Sequence, residues 1–218
     1  MAQLEQIGYT SLQEIAYQRI REALQRGAFQ PGESLPTRTL AKAFGISTTP
    51  VREALARLVA QNVLAVDSVN GTPYVPVITR ELLIEIYELR AVLEGLGAEH
   101  AAQNITEDEL LQLDVLWGKL TAKGLDKDQQ HALSQEFQYA VYRAARRPVL
   151  FDLIQSVWMR SGLVLSLLSK SRPKGFSVEN HREKLFAALK RHNAKKAGEA
   201  TRAGVEATRD MLLGVMDK

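Results

Sequence analysis

Cysteine is absent from the 218 residues, which excludes a disulfide framework and every thiolate metal site. No apolar run approaches the roughly 20 residues needed to cross a bilayer. The best candidate, "LIQSVWMRSGLVLSLLSK", is interrupted by Gln155, Arg160 and several serines, and is expected as a buried core helix. The N-terminus lacks a basic segment followed by an apolar run and a small-residue cleavage site, so a cytoplasmic protein without a membrane partner is the expectation. A large excess of one charge is missing as well: the net charge is +3 and the pI near 9.1, which suits nucleic-acid binding without requiring it. Residues 1–78 carry Arg19, Arg21, Arg26, Arg38, Lys42, Arg52 and Arg57 against Glu5, Glu14, Glu22, Glu33, Glu53 and Asp67. There is no basic tail, so any contact with DNA has to come from placed residues. Enzyme signatures are missing too: no nucleophile elbow, no phosphate loop, no paired carboxylates at workable spacing. The "GLG" at 95–97 lacks a third glycine and a preceding strand. No enzyme is expected, and those glycines suit close helix packing.

What is present is a chain 45% hydrophobic, enough for a real core in one large or two modest domains. From Ser11 to Arg26, Leu12, Ile15, Ala16, Ile20, Ala23 and Leu24 recur at helical spacing and Gly27 closes the segment. Pro31, Gly32 and Pro36 then supply turn chemistry before a short helix, "TRTLAKAFG", expected to be capped by Thr37 and stopped by Gly45. A third helix runs from the hydroxyl-rich "GISTTP" to about Gln61. After it the period changes, and β-branched residues flank Asn70-Gly71, a strong hairpin signal. Two helices, a turn, a third helix and a hairpin make a winged helix-turn-helix over residues 1–76. Pro73 and Pro76 are expected to form an extended connector. Beyond them the pattern is helical almost throughout, with helices expected near 79–103, 106–123, 126–146, 148–170, 177–192 and 194–216 and a loop at "SKSRPKGFS". The fold class is therefore mainly α: a winged helix-turn-helix, then an all-α six-helix bundle over residues 77–218.

The stretch "GISTTPVREALARL" at 45–58 begins its helix with three hydroxyls and a proline. Ser47, Thr48 or Thr49 can cap the first turn, and Pro50 is tolerated there because its missing N–H had no intrahelical partner. Hydroxyls and free N–H groups at a helix start are also what a phosphate meets. In a helix-turn-helix this second helix enters the major groove. Thr48 and Thr49 then reach phosphate or base edges, and Arg52, one turn in, is placed to fork onto a guanine. Arg38 is placed for phosphate or the groove edge, and Gly71 lets the wing approach the minor groove. Leu40, Ala43, Ile46, Val51, Leu55 and Leu58 are expected on the internal face. Taken alone, the stretch reads equally as a capped surface helix with solvated arginines.

The longer segment "PGESLPTRTLAKAFGISTTPVREAL" resembles the DNA-binding domain of GntR-family bacterial transcription regulators, nearly position by position. The resemblance implies that Arg38, Ser47, Thr49 and Arg52 hold a double-stranded operator. Thr48 replaces the family's usual arginine, a common guanine reader, which implies a different operator or a weaker grip. "YELRAVLEGLGAEHAA" resembles the start of the helical effector domain, FCD, of the FadR subfamily, and six helices suit its VanR-like branch. In many FCD members a divalent metal is held by an Asp and a His four residues apart and by two further histidines. Those positions fall here on Ser134, Gln138, His181 (or Arg182) and Gly204, so at most one nitrogen ligand survives and neither metal nor cofactor is expected. His181 and His192 would share a face only on a continuous helix, roughly 16 Å apart.

Arg90, Ser134, Gln138, Tyr142, Arg160, His181 and Arg182 are the candidate effector-binding residues. Inward guanidinium and imidazole groups need an anionic or hydrogen-bonding partner, and a small anionic metabolite would supply one. Alternatively Arg90 and Arg160 are satisfied by Glu94, Glu99 or another bundle carboxylate. The functional expectation is a ligand-responsive homodimeric repressor of a palindromic operator. The alternative is a DNA-binding protein with a structural, ligand-free bundle.

Overall fold

The computed structural model describes residues 11–25, 27–171 and 179–217. Among these the chain forms nine helices and one two-stranded sheet. The first helix, α1 (Leu12–Gln25), is capped by Ser11, whose hydroxyl accepts from the Glu14 N–H at 3.2 Å. It buries Ala16, Tyr17, Ile20 and Leu24, whereas Leu12 and Ile15, at the same helical spacing, are exposed. The following helix, α2 (Thr37–Phe44), starts at the expected cap residue, and its N-cap lies one residue earlier: the extended residue is Pro36, whose carbonyl takes the Thr39 and Leu40 N–H groups. Gly45 ends α2 in the left-handed conformation, φ 68°, where a Cβ would be strained. Its internal face uses Ala41 where Ala43 was expected; Ala43 is exposed and Ile46 half-buried. The third helix, α3 (Thr48–Ala60), buries Val51, Ala54, Leu55 and Leu58.

The wing is β1 (Ala65–Val66) antiparallel to β2 (Pro73–Tyr74), with Ala65 opposite Tyr74 and Val66 opposite Pro73. Pro73 is therefore part of the sheet rather than of a connector. It has no N–H to donate, but its carbonyl accepts from Leu35, and Ser34 bridges Tyr74. Asn70-Gly71 is not a two-residue turn. The loop spans 67–72, organised by Asp67, whose carboxylate accepts from the Val69 and Asn70 N–H groups; Asn70 accepts from Thr72, and Gly71 alone takes positive φ at 70°. A carboxylate that satisfies two backbone donors outcompetes the tight type I′ turn, which needs positive φ at both central residues.

The bundle comprises α4 (Arg80–Asn104), α5 (Glu107–Leu120), α6 (Lys127–Ala144), α7 (Pro148–Ser171), α8 (Glu179–Leu189) and α9 (Ala194–Met216). Thr106 and Asp126 each close a capping box, with Glu109 and Gln129 reaching back. The fifth helix stops at Leu120 rather than 123: Thr121 is its C-cap, and Gly124 turns the chain at φ 90°. The "SKSRPKGFS" loop begins later than expected: residues 169–171 continue α7, and the remainder, with the start placed at 177 for the next helix, lies outside the described residues. The eighth helix ends at Leu189, and His192 is left-handed at φ 49°, so His181 and His192 do not share a helix. Along its length α4 packs on α9. A Cβ on Gly95 would strike the Arg202 side chain, and one on Gly97 would lie 2.8 Å from the Tyr142 ring. Both glycines thus serve close packing, as their place in "GLG" suggests.

Two apolar clusters form the core. One gathers the three wing-domain helices, Val75 and Ile78 and continues into the bundle through Leu83, Ile86, Tyr87, Met159, Val205 and Leu212. The other lies within the bundle, with Trp117, Phe137 and Phe186 in mutual ring contact at 6.0–6.2 Å. Among the described residues no helix is long and apolar enough to cross a membrane.

Candidate functional site

At the start of α3 the N-cap is Ser47, extended at φ −69° and ψ 162°, and its side chain makes no capping hydrogen bond. Ser47, Thr48 and Thr49 are all exposed. The N–H groups of Thr48 and Thr49 lie in a first turn, where no intrahelical acceptor exists. This end of the helix therefore offers free donors, free hydroxyls and the positive end of a dipole, a combination suited to a phosphate. Arg52 is exposed one turn further on, and Arg38 is exposed on α2. Neither forms an ion pair with a described residue. Exposed Gly71 stands at the wing loop with nothing within 4 Å of an added Cβ.

The bundle interior is organised around Glu94, which is 1% exposed. Its Oε1 accepts from Arg90 Nε at 2.7 Å and from Trp158 Nε1 at 2.8 Å; its Oε2 accepts from the Tyr142 hydroxyl at 3.0 Å. Burial by itself pulls the Arg90 guanidinium down, but the Glu94 charge outweighs it and holds the group above its ordinary range. Burial, reinforced by the Glu94 charge, pushes the Tyr142 phenol well above its usual value, while Arg182 acts in the opposite sense. Arg90 also lies 4.7 Å over the Tyr87 ring. Of the two readings open for Arg90, satisfaction by a bundle carboxylate is what the fold contains.

The remaining bundle candidates divide. Ser134, Gln138 and Tyr142 are four residues apart on α6 and share a face that leads to Glu94; Ser134 is buried and Gln138 half-buried. Half-buried His181 lies against α9, with its Cβ 3.0 Å from where a Cβ on Gly204 would stand. Neighbouring Arg182 is close enough to act on Tyr142. Arg160 stands apart. It is two residues from Trp158, about 200° around α7, and no described contact joins it to Glu94. Its Nε is buried with no acceptor among the described residues. Sequence reasoning missed Glu94 as the hub and Trp158 as a donor. Two signals pointed there: Glu94 follows Arg90 by four residues, and a buried indole N–H needs an acceptor.

The positions that hold metal in many FCD domains do not suit one here. They hold a serine hydroxyl, a glutamine amide, one imidazole and a glycine, and among the described residues no three His, Asp or Glu side chains converge.

Residues 12–73 match the model of bacterial regulatory proteins of the gntR family, and residues 85–207 match the FCD domain. The chain belongs to the GntR family and carries an FCD domain. It is 36% identical over 177 residues to the HTH-type transcriptional regulator McbR of Escherichia coli K12, covering 78% of this chain and 79% of that one. The solved structure of E. coli McbR/YncC superimposes with a TM-score of 0.85 at 30% identity, over 94% of this chain and 98% of that one. The E. coli protein MngR, named a repressor of a mannosyl-D-glycerate transport and metabolism system, is 30% identical over 154 residues, covering 70% of this chain and 60% of that one. This GntR-family regulator is thus a DNA-binding transcriptional regulator and not an enzyme, with its helix-turn-helix formed by α2 and α3.

Proposed function

We propose that the protein is a homodimeric, ligand-responsive repressor that places the start of α3 in each half-site of a palindromic operator. The uncapped hydroxyl cluster at that helix start carries the reading. A surface helix that needed Ser47 only as a cap would use its hydroxyl on the first turn; here the hydroxyl is left for a ligand. Ser47 and Thr49 grip phosphate, Arg52 reads a base, Arg38 and Gly71 meet the groove edges, and Thr48 alters what the family's arginine would read. A second copy of the chain has an apolar stripe to dock on: Leu89, Val92 and Leu96 lie on one face of α4 at 45%, 63% and 41% exposure. Arg52→Ala tests the operator reading. Fluorescence anisotropy on a duplex selected from random-sequence DNA by the intact protein should show weaker binding with relaxed base preference, and unchanged affinity would sink the assignment.

The effector in this reading is a small organic acid held in the bundle near Arg160, His181, Arg182 and the polar face of α6, with coupling to DNA affinity of about 1–3 kcal/mol. Arg160 supports it, because a buried guanidinium nitrogen without an acceptor among the described residues calls for an anionic oxygen. One observation favours the second reading, a regulator with a structural bundle: Arg90, Tyr142 and Trp158 are already satisfied by Glu94. A thermal-shift screen of small carboxylates and sugar acids separates the two. An acid that raises the melting temperature and changes DNA affinity in the natural protein, but not in Arg160→Ala, upholds the effector reading. Release of DNA by neutral compounds alone overturns it.

A further inference from the structure

Tyr139 on α6 packs edge-on against Trp158, with ring centroids 5.2 Å apart at 85°, and against Phe151 at 5.8 Å. Its hydroxyl accepts from Arg21 Nη2 at 2.8 Å, and Arg21 belongs to α1 of the DNA-binding domain. The residue after Trp158, Met159, is buried against the same helix, with its sulfur 3.6 Å from the Tyr17 hydroxyl. Tyr17 in turn touches α3 and its C-cap: the Arg57 guanidinium lies 3.8 Å over its ring, and its hydroxyl is 3.0 Å from Gln61 Oε1. One turn of α7 therefore bears on Glu94 with one side chain and on the DNA-binding domain with the next.

We propose that Trp158 and Tyr139 are positioning residues that couple the Glu94 cluster to the DNA-binding domain through Arg21, a coupling that rests on reading that cluster as part of the effector site. Arg21 is suited to a releasable contact. It lies between the domains, its hydrogen-bond partners are neutral, the Tyr139 hydroxyl and Gln18 Oε1 at 3.4 Å, the Glu14 carboxylate acts on it only through charge, and its Nε is buried without an acceptor among the described residues. A hydrogen bond to a neutral hydroxyl weakens steeply with small displacement or tilt. A hydroxy acid or sugar acid whose hydroxyl donates to Glu94 competes with the Trp158 indole for the same carboxylate oxygen. The indole then shifts in a close-packed interior, the Tyr139 ring on its face shifts with it, and the hydroxyl leaves Arg21. The signal thus reaches α1 and α3 directly across the packed face rather than only through the residues after β2.

The sequence holds two tryptophans, so Trp117→Phe leaves Trp158 as the sole indole reporter. Coupling is reciprocal, so saturation of that variant with a duplex selected from random-sequence DNA should shift the Trp158 emission. Adding Tyr139→Phe keeps the ring packing and removes the hydroxyl; the melting temperature should hold while the DNA-induced shift disappears. A silent Trp158 on saturating duplex, or a shift of equal size without the hydroxyl, overturns the relay. A carboxylate that displaces the duplex equally well with and without the Tyr139 hydroxyl also overturns it and leaves the effector reading standing. A DNA-induced shift that requires the hydroxyl, with no carboxylate binding at all, upholds the mechanical link and overturns the effector reading.

Discussion

Ser47 at the start of α3 and Glu94 midway along α4 are both polar side chains at positions that ask for a partner, and they are treated in opposite ways. Ser47 is exposed and leaves the first turn of its helix uncapped. Glu94 is buried and takes three donors from three helices. Water can satisfy the first at little cost, so the site can stay open for a ligand; bulk water does not reach the second, so without a ligand the folded chain itself has to complete it. A binding surface is polar groups left over, whereas a polar core is polar groups used up. Arg52 and Arg90 repeat the contrast, one exposed without a described ion pair and the other held by a carboxylate 2.7 Å away.

The sharpest way to break the comparison is Glu94→Ala. It strands the Arg90 charge and two further buried donors, so the cost should be about 3–5 kcal/mol in urea or thermal unfolding. A loss under about 1 kcal/mol would mean that water reaches the cluster and that the bundle interior is no different from the surface. Next in size is Arg52→Ala, which should cost about 1–3 kcal/mol of operator binding with base preference relaxed and unfolding unchanged.

A smaller effect distinguishes two caps. Thr106 accepts from the Glu109 N–H at 3.3 Å within a capping box, so Thr106→Ala should lower stability by about 1 kcal/mol. Ser47→Ala should cost clearly less in stability and more in DNA affinity, because its hydroxyl caps nothing in the protein; equal stability losses at the two positions would contradict that. The smallest effect appears only in alkali. The folded-state value of the Tyr142 phenol is raised above the ordinary 10.0, so its contribution is fully present below pH 10.0 and is lost as pH rises from there toward the folded-state value. Tyr142→Phe should flatten that alkaline decline in unfolding free energy. Metal content gives a separate check: elemental analysis of protein purified without a metal affinity tag should find no stoichiometric divalent ion, and a chelator should leave the melting temperature unchanged.

Local rules were enough for much of this molecule. Helix periodicity, the stops at Gly27 and Gly45, the Thr106 cap, six bundle helices and the hydroxyl-rich start of α3 are legible in the sequence, because each depends on residues within a few positions of one another. The motif that identifies the DNA-binding helix is likewise a contiguous run. Local rules failed where two local demands competed. Asp67 overrode the Asn70-Gly71 turn signal by satisfying two backbone donors at once, and Pro73 joined a strand because the Ser34 segment needed its carbonyl.

The polar centre of the bundle was legible only as a set of candidates. Arg90, Tyr142 and Trp158 are separated by as many as 68 residues, and nothing in their spacing says that one carboxylate gathers three of them while Arg160, two positions from Trp158, is turned away. The contact of Arg21 with Tyr139 spans 118 residues and leaves no periodic trace in either helix. The sequence by itself therefore determined the helices, their order and the exposed, hydroxyl-rich helix start proposed to meet DNA, since those follow from short-range backbone chemistry and from side chains that solvent leaves free. Only the tertiary structure decided which buried charges are paired and which helix faces join the two domains. Burial removes water as the default partner, and the replacement is whichever donor or acceptor the packing of distant helices brings within about 3 Å.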